Sequence, residues 1–329
     1  MPRRTLRLRV GGLVLAVEAD RPTPALDPPP LLRPFLVARG GDIRLRYREG
    51  LLPPKTTGER LFDSGGVWRV EQCRGRLVYR FRIPNRRPPL YKVVVIDKSL
   101  ARGTLYFDAA ARGPHYALDY PLDELLIQHR LAREGAIEVH GCGVVWKGRT
   151  LLFCGRSGAG KSTMARLWRR HALGARLLSD DRVVLRPGRR GVRAHGTPWH
   201  GDGGFASAAS APLGAVFFLR HGRATRLEPL GRAEAAARLF TRSFPPPWDR
   251  EGVARALDAC ADAAARVPAF ELAFRPRKEA VDAVRGLFER KRKRTDKQTN
   301  KRTNERKTNN GARLAGLSFR GAERPPRPR

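Results

Sequence analysis

Leu151-Leu152-Phe153-Cys154-Gly155-Arg156-Ser157-Gly158-Ala159-Gly160-Lys161-Ser162-Thr163-Met164-Ala165-Arg166-Leu167-Trp168 decides how this chain is read. An apolar run enters a glycine-rich turn that fits G-x-x-x-x-G-K-S/T, and a helix-like run leaves it. Strand, loop and helix in that order are the context a phosphate-binding loop needs. Glycines let such a loop curl until consecutive backbone N–H groups point inward at phosphate oxygens. The N-terminus of the following helix adds the positive end of its dipole. Gly155, Arg156, Ser157, Gly158, Ala159, Gly160, Lys161, Ser162 and Thr163 are therefore expected to bind nucleotide phosphates. Lys161 would reach the β- and γ-phosphates, and the Ser162 hydroxyl would hold Mg²⁺.

Three features around the loop narrow the chemistry. Leu177-Leu178-Ser179-Asp180-Asp181 reads as an apolar strand ending in two carboxylates, with Asp180 19 residues after Lys161. A carboxylate there can hold Mg²⁺ or take a proton from an attacking hydroxyl. Cassette ATPases place their acidic strand much further on, after an LSGGQ-like signature, and this chain has no such signature. His140 closes the strand-like run Ile137-Glu138-Val139-His140 before the loop, where it can orient a carboxylate or move a proton. Gly196-Thr197-Pro198-Trp199-His200-Gly201-Asp202-Gly203-Gly204 is dense in glycine. Such a loop either turns tightly or closes over a ligand, and Asp202 is a further candidate metal ligand.

Outward from this centre the pattern predicts three parts. Residues 1–115 read as short strands at Leu6–Val10, Leu13–Val17, Ile43–Tyr47, Val67–Glu71, Leu77–Ile83 and Tyr91–Ile96. Proline-rich joints such as Pro28-Pro29-Pro30 and Pro88-Pro89 separate them. Residues 116–288 carry the chemistry. A helix is expected from Leu122, with Asp123 and Glu124 in its first turn and Gly135 at its end. Strands follow at Ile137–Gly141, Val144–Trp146 and Thr150–Cys154, the last two joined by a hairpin at Lys147-Gly148-Arg149. The phosphate-loop helix spans Lys161–His171. Strands at Arg176–Ser179, Val183–Leu185, Val192–His195, Ala215–Leu219 and Ala269–Phe274 and helices at Gly231–Phe240, Arg250–Ala265 and Lys278–Phe288 complete this part. Residues 289–329 form a basic, Thr- and Asn-rich tail with too little apolar surface to fold, and disorder is expected.

Composition sets the outer limits. At 329 residues the chain can bury a sizeable core. It has no apolar run long enough for a transmembrane helix and no clean signal peptide, so a cytoplasmic location is expected. Cys73, Cys142, Cys154 and Cys260 are scattered without a CxxC pair and read as reduced structural thiols. The net charge of +35 invites a nucleic-acid reading. However, 15 of its cations against 4 acids lie in residues 289–329, and the arginine excess elsewhere is spread evenly. No specific nucleic-acid binding and no membrane association are expected.

The run His140-Gly141, then Gly155 to Thr163, then Leu178-Ser179-Asp180-Asp181-Arg182-Val183 resembles the catalytic domain of the HPr kinase/phosphorylase family. The resemblance is closer still to HPr-kinase-like proteins of bacterial peptide-modification gene neighbourhoods, and it spans about residues 121–220. It implies an α/β fold, the mixed-sheet, phosphoenolpyruvate-carboxykinase-like P-loop kinase. It also implies ATP and Mg²⁺ as cofactors. Carried over residue by residue, Gly155 to Thr163 bind the phosphates, Ser162 holds Mg²⁺, and Asp180 becomes the base toward the acceptor hydroxyl with His140 its neighbour. Beside the resemblance, Lys161 is expected to act in catalysis, and Asp181 and Asp202 are candidate metal ligands. The expected reaction is transfer of the γ-phosphoryl group to a serine-type hydroxyl of a protein or peptide, including a ribosomally made peptide precursor. The alternatives are a small-molecule kinase such as one for free serine, a non-catalytic nucleotide-binding scaffold of a biosynthetic cluster, and a nucleic-acid-binding ATPase.

Overall fold

Period-two alternation builds the first sheet. In Ile43–Glu49 the residues Ile43, Leu45 and Tyr47 are buried while Arg44 and Arg46 are exposed. The computed structural model describes residues 3–50, 58–83, 90–108 and 116–289. Within these, the chain opens with β1 (Arg3–Val10), β2 (Leu13–Thr23), β3 (Ile43–Glu49), β4 (Glu59–Asp63), β5 (Trp68–Cys73), β6 (Arg76–Arg82), β7 (Leu90–Asp97) and β8 (Arg102–Phe107). They form one sheet in the order β1-β2-β3-β8-β7-β6-β5-β4. β2–β3 and β3–β8 are parallel and the other neighbours antiparallel. The six strands expected from sequence are present. β4 and β8 had no alternating pattern strong enough to announce them, and β4 is an edge strand that buries none of its residues. Pro88-Pro89 lie outside the described residues, as does the expected tail from residue 290 onward.

Helix α1 (Leu122–Arg133) lays Leu122, Leu125, Leu126 and Leu131 into the same core as Leu15, Tyr79, Phe81 and Ile96 of this sheet. A buried polar chain fastens them. Tyr79 and the His129 Nδ1 lie 2.6 Å apart. The His129 Nε2 meets Asp249 at 2.8 Å, and the Arg133 Nε donates to the same carboxylate oxygen at 2.6 Å. Ionised Asp249 only accepts, so Nε2 carries the proton and the Tyr79 hydroxyl donates to Nδ1. Burial lowers the His129 pKa against the opposing pull of Asp249.

The second sheet is mixed, as expected. Its strands are β9 (Ile137–Trp146), β10 (Arg149–Cys154), β11 (Arg176–Ser179), β12 (Arg182–Gly188), β13 (Gly191–Gly196), β14 (Ser210–His221), β15 (Arg226–Pro229) and β16 (Ala269–Phe274). Helices α2 (Lys161–His171), α3 (Arg232–Phe240) and α4 (Arg250–Arg266) intervene, and helix α5 spans 278–289. β9 is one strand where the sequence predicted two. Gly141-Cys142-Gly143 has little intrinsic strand preference, but β10 pairs along it on one side and β11 reaches Gly143 on the other, which holds it extended. β10 lies between antiparallel β9 and parallel β14, and β14 is followed by parallel β16. The far halves of β9 and β14 are bridged by antiparallel β12 and β13.

This topology fixes where the functional residues meet. β10 and β11 both run antiparallel to β9, on opposite sides of it, so their carboxyl ends emerge at one edge. There Cys154 pairs with Gly141, and the Gly141 N–H donates to the Asp181 carbonyl at 3.0 Å. The glycine-rich loop after β10, the acid pair after β11 and His140 on β9 are gathered by register alone. By compactness the chain divides into two units, Met1–Lys278 and one that begins at Glu279. No helix among the described residues is long and apolar enough to cross a membrane.

Candidate active site

The loop leaves β10 at Gly155 and enters α2 at Lys161, with Gly160 as the residue before the first helical turn. Gly160 has φ 97°, in the left-handed region, and a Cβ there would stand 2.8 Å from the ring of Phe274. No other residue type fits both demands. α2 is anchored by Trp168, which is fully buried and packs edge-on against Trp146 and obliquely against Phe153. The helix N-terminus therefore points rigidly at the loop. The Lys161 Nζ donates to the carbonyls of Arg156 at 3.2 Å and Gly155 at 3.4 Å. Burial pushes its pKa down, with Asp181 pulling the other way. His221, at the end of β14, has its Nε2 2.9 Å from the Gly158 carbonyl.

The two adjacent aspartates have different surroundings. Asp180 is fully buried. Its Oδ1 accepts from the backbone N–H of Gly201 at 3.1 Å and of Phe205 at 3.4 Å. Its Oδ2 accepts from the Gly203 N–H at 2.7 Å and from the Ser162 hydroxyl at 3.0 Å. Four donors saturate the lone pairs of both oxygens. Asp181 turns the other way, into the cleft. The His140 Nε2 lies 2.8 Å from its Oδ1, and Arg182 contacts its Oδ2. Burial alone would raise the Asp181 pKa. The hydrogen bond from His140 and the charges of Arg182, His140 and Lys161 outweigh it and hold this carboxyl below its ordinary value.

The glycine-dense loop wraps Asp180. A Cβ on Gly203 would stand 2.4 Å from Asp180 Oδ2, and one on Gly201 at 3.2 Å. These glycines are glycine because the backbone must approach a buried carboxylate. Asp202 between them is exposed and faces the cleft. The turn at the acid pair is set by Ser179, whose hydroxyl accepts from the N–H groups of Asp181 and Arg182 and donates to the Trp199 carbonyl.

A cleft of about 510 Å³ collects Ser157, Gly158, Lys161, Ser162, Asp181 and Asp202, with His140, Arg166 and Arg182 also on its walls. Among the described residues no group of three or more His, Cys, Asp or Glu is arranged to cage a metal. Mg²⁺ binds through one or two carboxylates plus substrate phosphates and keeps its waters. The Ser162 hydroxyl and the Asp181 and Asp202 carboxylates are hard oxygen donors on one cleft, and they fit that ion.

Arg182 is a site residue the sequence reading left unassigned. Its guanidinium meets Glu124 and Glu138 at 3.1 Å each and stacks 4.2 Å from the Phe244 ring centroid. It thereby ties Asp181 to a buried acidic pair. Burial, then neighbouring Glu124, drives Glu138 well above the ordinary carboxylate range. Asp123 rises to about 7, chiefly by burial, although its Oδ2 accepts from the Trp199 indole N–H. The pattern Asp123-Glu124 was legible only as acid in a helix first turn.

Two comparisons with known proteins found a likeness. Residues 123–275 match the family described as SynChlorMet cassette protein ScmC. Among solved structures, the chain matches the Hpr(Ser) kinase/phosphatase from Coxiella burnetii at 13% identity. That alignment covers 56% of this chain and 99% of the other, with a TM-score of 0.28. No curated protein matches the chain.

Proposed function

We propose that this protein transfers the γ-phosphoryl group of ATP to a serine-type hydroxyl. The reading is carried by one observation. The loop lysine, the loop serine bonded to a buried aspartate, and a second, ionised aspartate held by His140 all border one cleft. Lys161 and the inward N–H groups at the start of α2 would face the β- and γ-phosphates. Ser162, Asp181 and Asp202 would hold Mg²⁺, which supplies neutralisation of phosphate charge. Asp180 keeps the Ser162 hydroxyl oriented and clamps residues 201–205 against it. The acceptor oxygen bonds to the γ-phosphorus as the bond from phosphorus to the β–γ bridging oxygen breaks. Asp181 takes the hydroxyl proton, and ADP departs with the electron pair. His140 and Arg182 hold the Asp181 carboxylate in place and ionised.

This assigns the base to Asp181 rather than to Asp180, because a carboxylate with four donors already bound has no lone pair left for a substrate proton. A peptide or protein that carries the acceptor serine, as in a biosynthetic cassette, is part of the proposal. Labelled ATP with the full-length protein and hydroxyl acceptors tests it. Lys161→Ala should weaken nucleotide binding at least about tenfold, the scale of a lost charge-assisted contact. Parental turnover in that variant refutes the loop's role. Tight ATP binding without transfer to any acceptor favours the scaffold.

A further inference from the structure

A second cavity adjoins the phosphate cleft and shares Asp181 and Arg182 with it. Its volume is about 450 Å³, enough for a small organic molecule or one residue with its neighbours. Leu31 and Leu32 of the first part of the chain form one wall, and Tyr116, Tyr120 and Trp199 supply aromatic faces. Among the described residues the charged lining is one-sided: Asp119, Asp123, Glu124 and Asp181 stand against Arg182 as the sole lysine or arginine. Asp119 is already paired with Lys92, and Arg182 spends its charge on Glu124, Glu138 and Asp181. The cavity therefore keeps a negative surplus beside aromatic rings, the combination that holds an ammonium group. The Tyr116 hydroxyl on its wall is buried with no hydrogen-bond partner among the described residues. A buried hydroxyl left unpaired is costly, and a polar ligand group would relieve it.

We propose that this cavity is the acceptor site and that it selects a hydroxyl-bearing primary ammonium compound, with the hydroxyl at Asp181 and the ammonium among Asp123, Glu124 and the rings of Tyr120 and Trp199. What then happens to the hydroxyl rests on the phosphotransfer reading above. The recognition of the cation does not, and it is measured separately. An internal serine of a folded protein brings no ammonium beside its hydroxyl. A free amino alcohol, a free amino acid derivative or the N-terminal serine of a peptide does.

The test uses the full-length protein and two matched probes, serine amide, which is a cation, and N-acetylserine amide, which is neutral. Calorimetric titration without nucleotide should show saturable binding of serine amide. Binding of the acetylated probe should be weaker by about tenfold or more, the loss expected when a cation among rings and carboxylates is neutralised. Trp199→Ala should weaken serine amide binding and raise the acceptor KM while leaving the KM for ATP unchanged. That split is one a general folding defect does not produce. With Mg²⁺ and labelled ATP, the same preference should appear in kcat/KM. Ethanolamine and a tripeptide amide beginning with serine then distinguish the source of the ammonium: transfer to ethanolamine assigns it to a free small molecule, and transfer to the tripeptide alone assigns it to a peptide terminus. Equal binding of the two serine amides overturns the proposal. So does no binding of either, or a better rate with an N-acetylated peptide holding an internal serine. Binding of serine amide without phosphate transfer keeps the cavity's selectivity and sinks the phosphotransfer reading instead.

Discussion

The division of labour between Asp180 and Asp181 yields the sharpest prediction, through the pair Asp180→Asn and Asp181→Asn. An asparagine offers one acceptor oxygen and one NH₂ where aspartate offers two acceptors. With the NH₂ in place of Oδ1, it confronts the N–H groups of Gly201 and Phe205. With the NH₂ in place of Oδ2, it confronts the Gly203 N–H, while the Ser162 hydroxyl can rotate and accept. The second arrangement is cheaper, yet it strands one buried N–H and removes charge assistance from the remaining bonds. About 3 kcal/mol of folding stability should be lost. Residues 201–205 should exchange their amide hydrogens faster, and Mg²⁺-ATP affinity should fall about tenfold because the Ser162 hydroxyl, turned round to accept from the amide, is no longer oriented for Mg²⁺. Asp181→Asn should differ in stability and in transfer. Its side chain lies in the cleft, so stability should move by no more than about 1 kcal/mol. Nucleotide affinity without Mg²⁺ should stay within a few-fold, Mg²⁺-ATP affinity should fall with the lost metal ligand, and transfer should fall by about 10²–10⁴, the scale of a lost general base. Urea denaturation, nucleotide titration and single-turnover transfer read the three quantities. Suppose Asp180→Asn melts like the parent, binds Mg²⁺-ATP normally and fails only in transfer. Then Asp180 is the base and the argument from saturated lone pairs is wrong.

Other variants probe the surrounding structure. Gly203→Ala should phenocopy Asp180→Asn, losing roughly 2–3 kcal/mol, because its Cβ would sit 2.4 Å from Asp180 Oδ2; parental stability by urea titration would mean the loop yields freely. Asp249→Ala should cost about 3 kcal/mol by leaving buried His129 without its acceptor and half-buried Arg133 without this carboxylate. A melting temperature within a degree of the parent's would show that the chain from Tyr79 to Asp249 does not fasten the first sheet to α1 and α4. His195 is pushed down to about 4 by burial and then by Arg186 and Arg193. Between pH 6.5 and 4 the unfolded chain therefore holds a proton that the folded one lacks. Stability from this group is complete above about 6.5 and drains as pH falls, by at most about 1.4 kcal/mol per pH unit. The stability difference between the parent and His195→Gln should narrow or reverse across that window. A constant difference from pH 7 to 4 would show that His195 titrates normally.

Most elements were legible because their signals are local. The phosphate loop is a contiguous motif, and the helix Lys161–His171 and the strand Ala269–Phe274 have the bounds their periodicity predicts. The strands that escaped notice, Glu59–Asp63, Arg102–Phe107 and Arg226–Pro229, are short and take their extended state from a neighbour rather than from their own composition. β9 reads as two strands for the converse reason: its glycines weaken the local signal while the strands on both sides restore the geometry.

The site shows the same boundary more sharply. Chain alternation already says that neighbours such as Asp180 and Asp181 point to opposite sides. It does not say which side is the cleft. That is decided by the loop Gly201–Phe205, whose three N–H groups converge on Asp180 and remove it from reach. The glycines that permit this approach were visible in the sequence, but their target was not, because the contact joins residues more than twenty apart. Once Asp180 is taken as the anchor of that loop, Asp181 becomes the carboxylate left facing both cavities. Arg182 and His140 become the groups that keep it charged. A single inward turn of one side chain thus leaves Asp181, not Asp180, on the walls of both the cleft beside the loop and the proposed acceptor cavity.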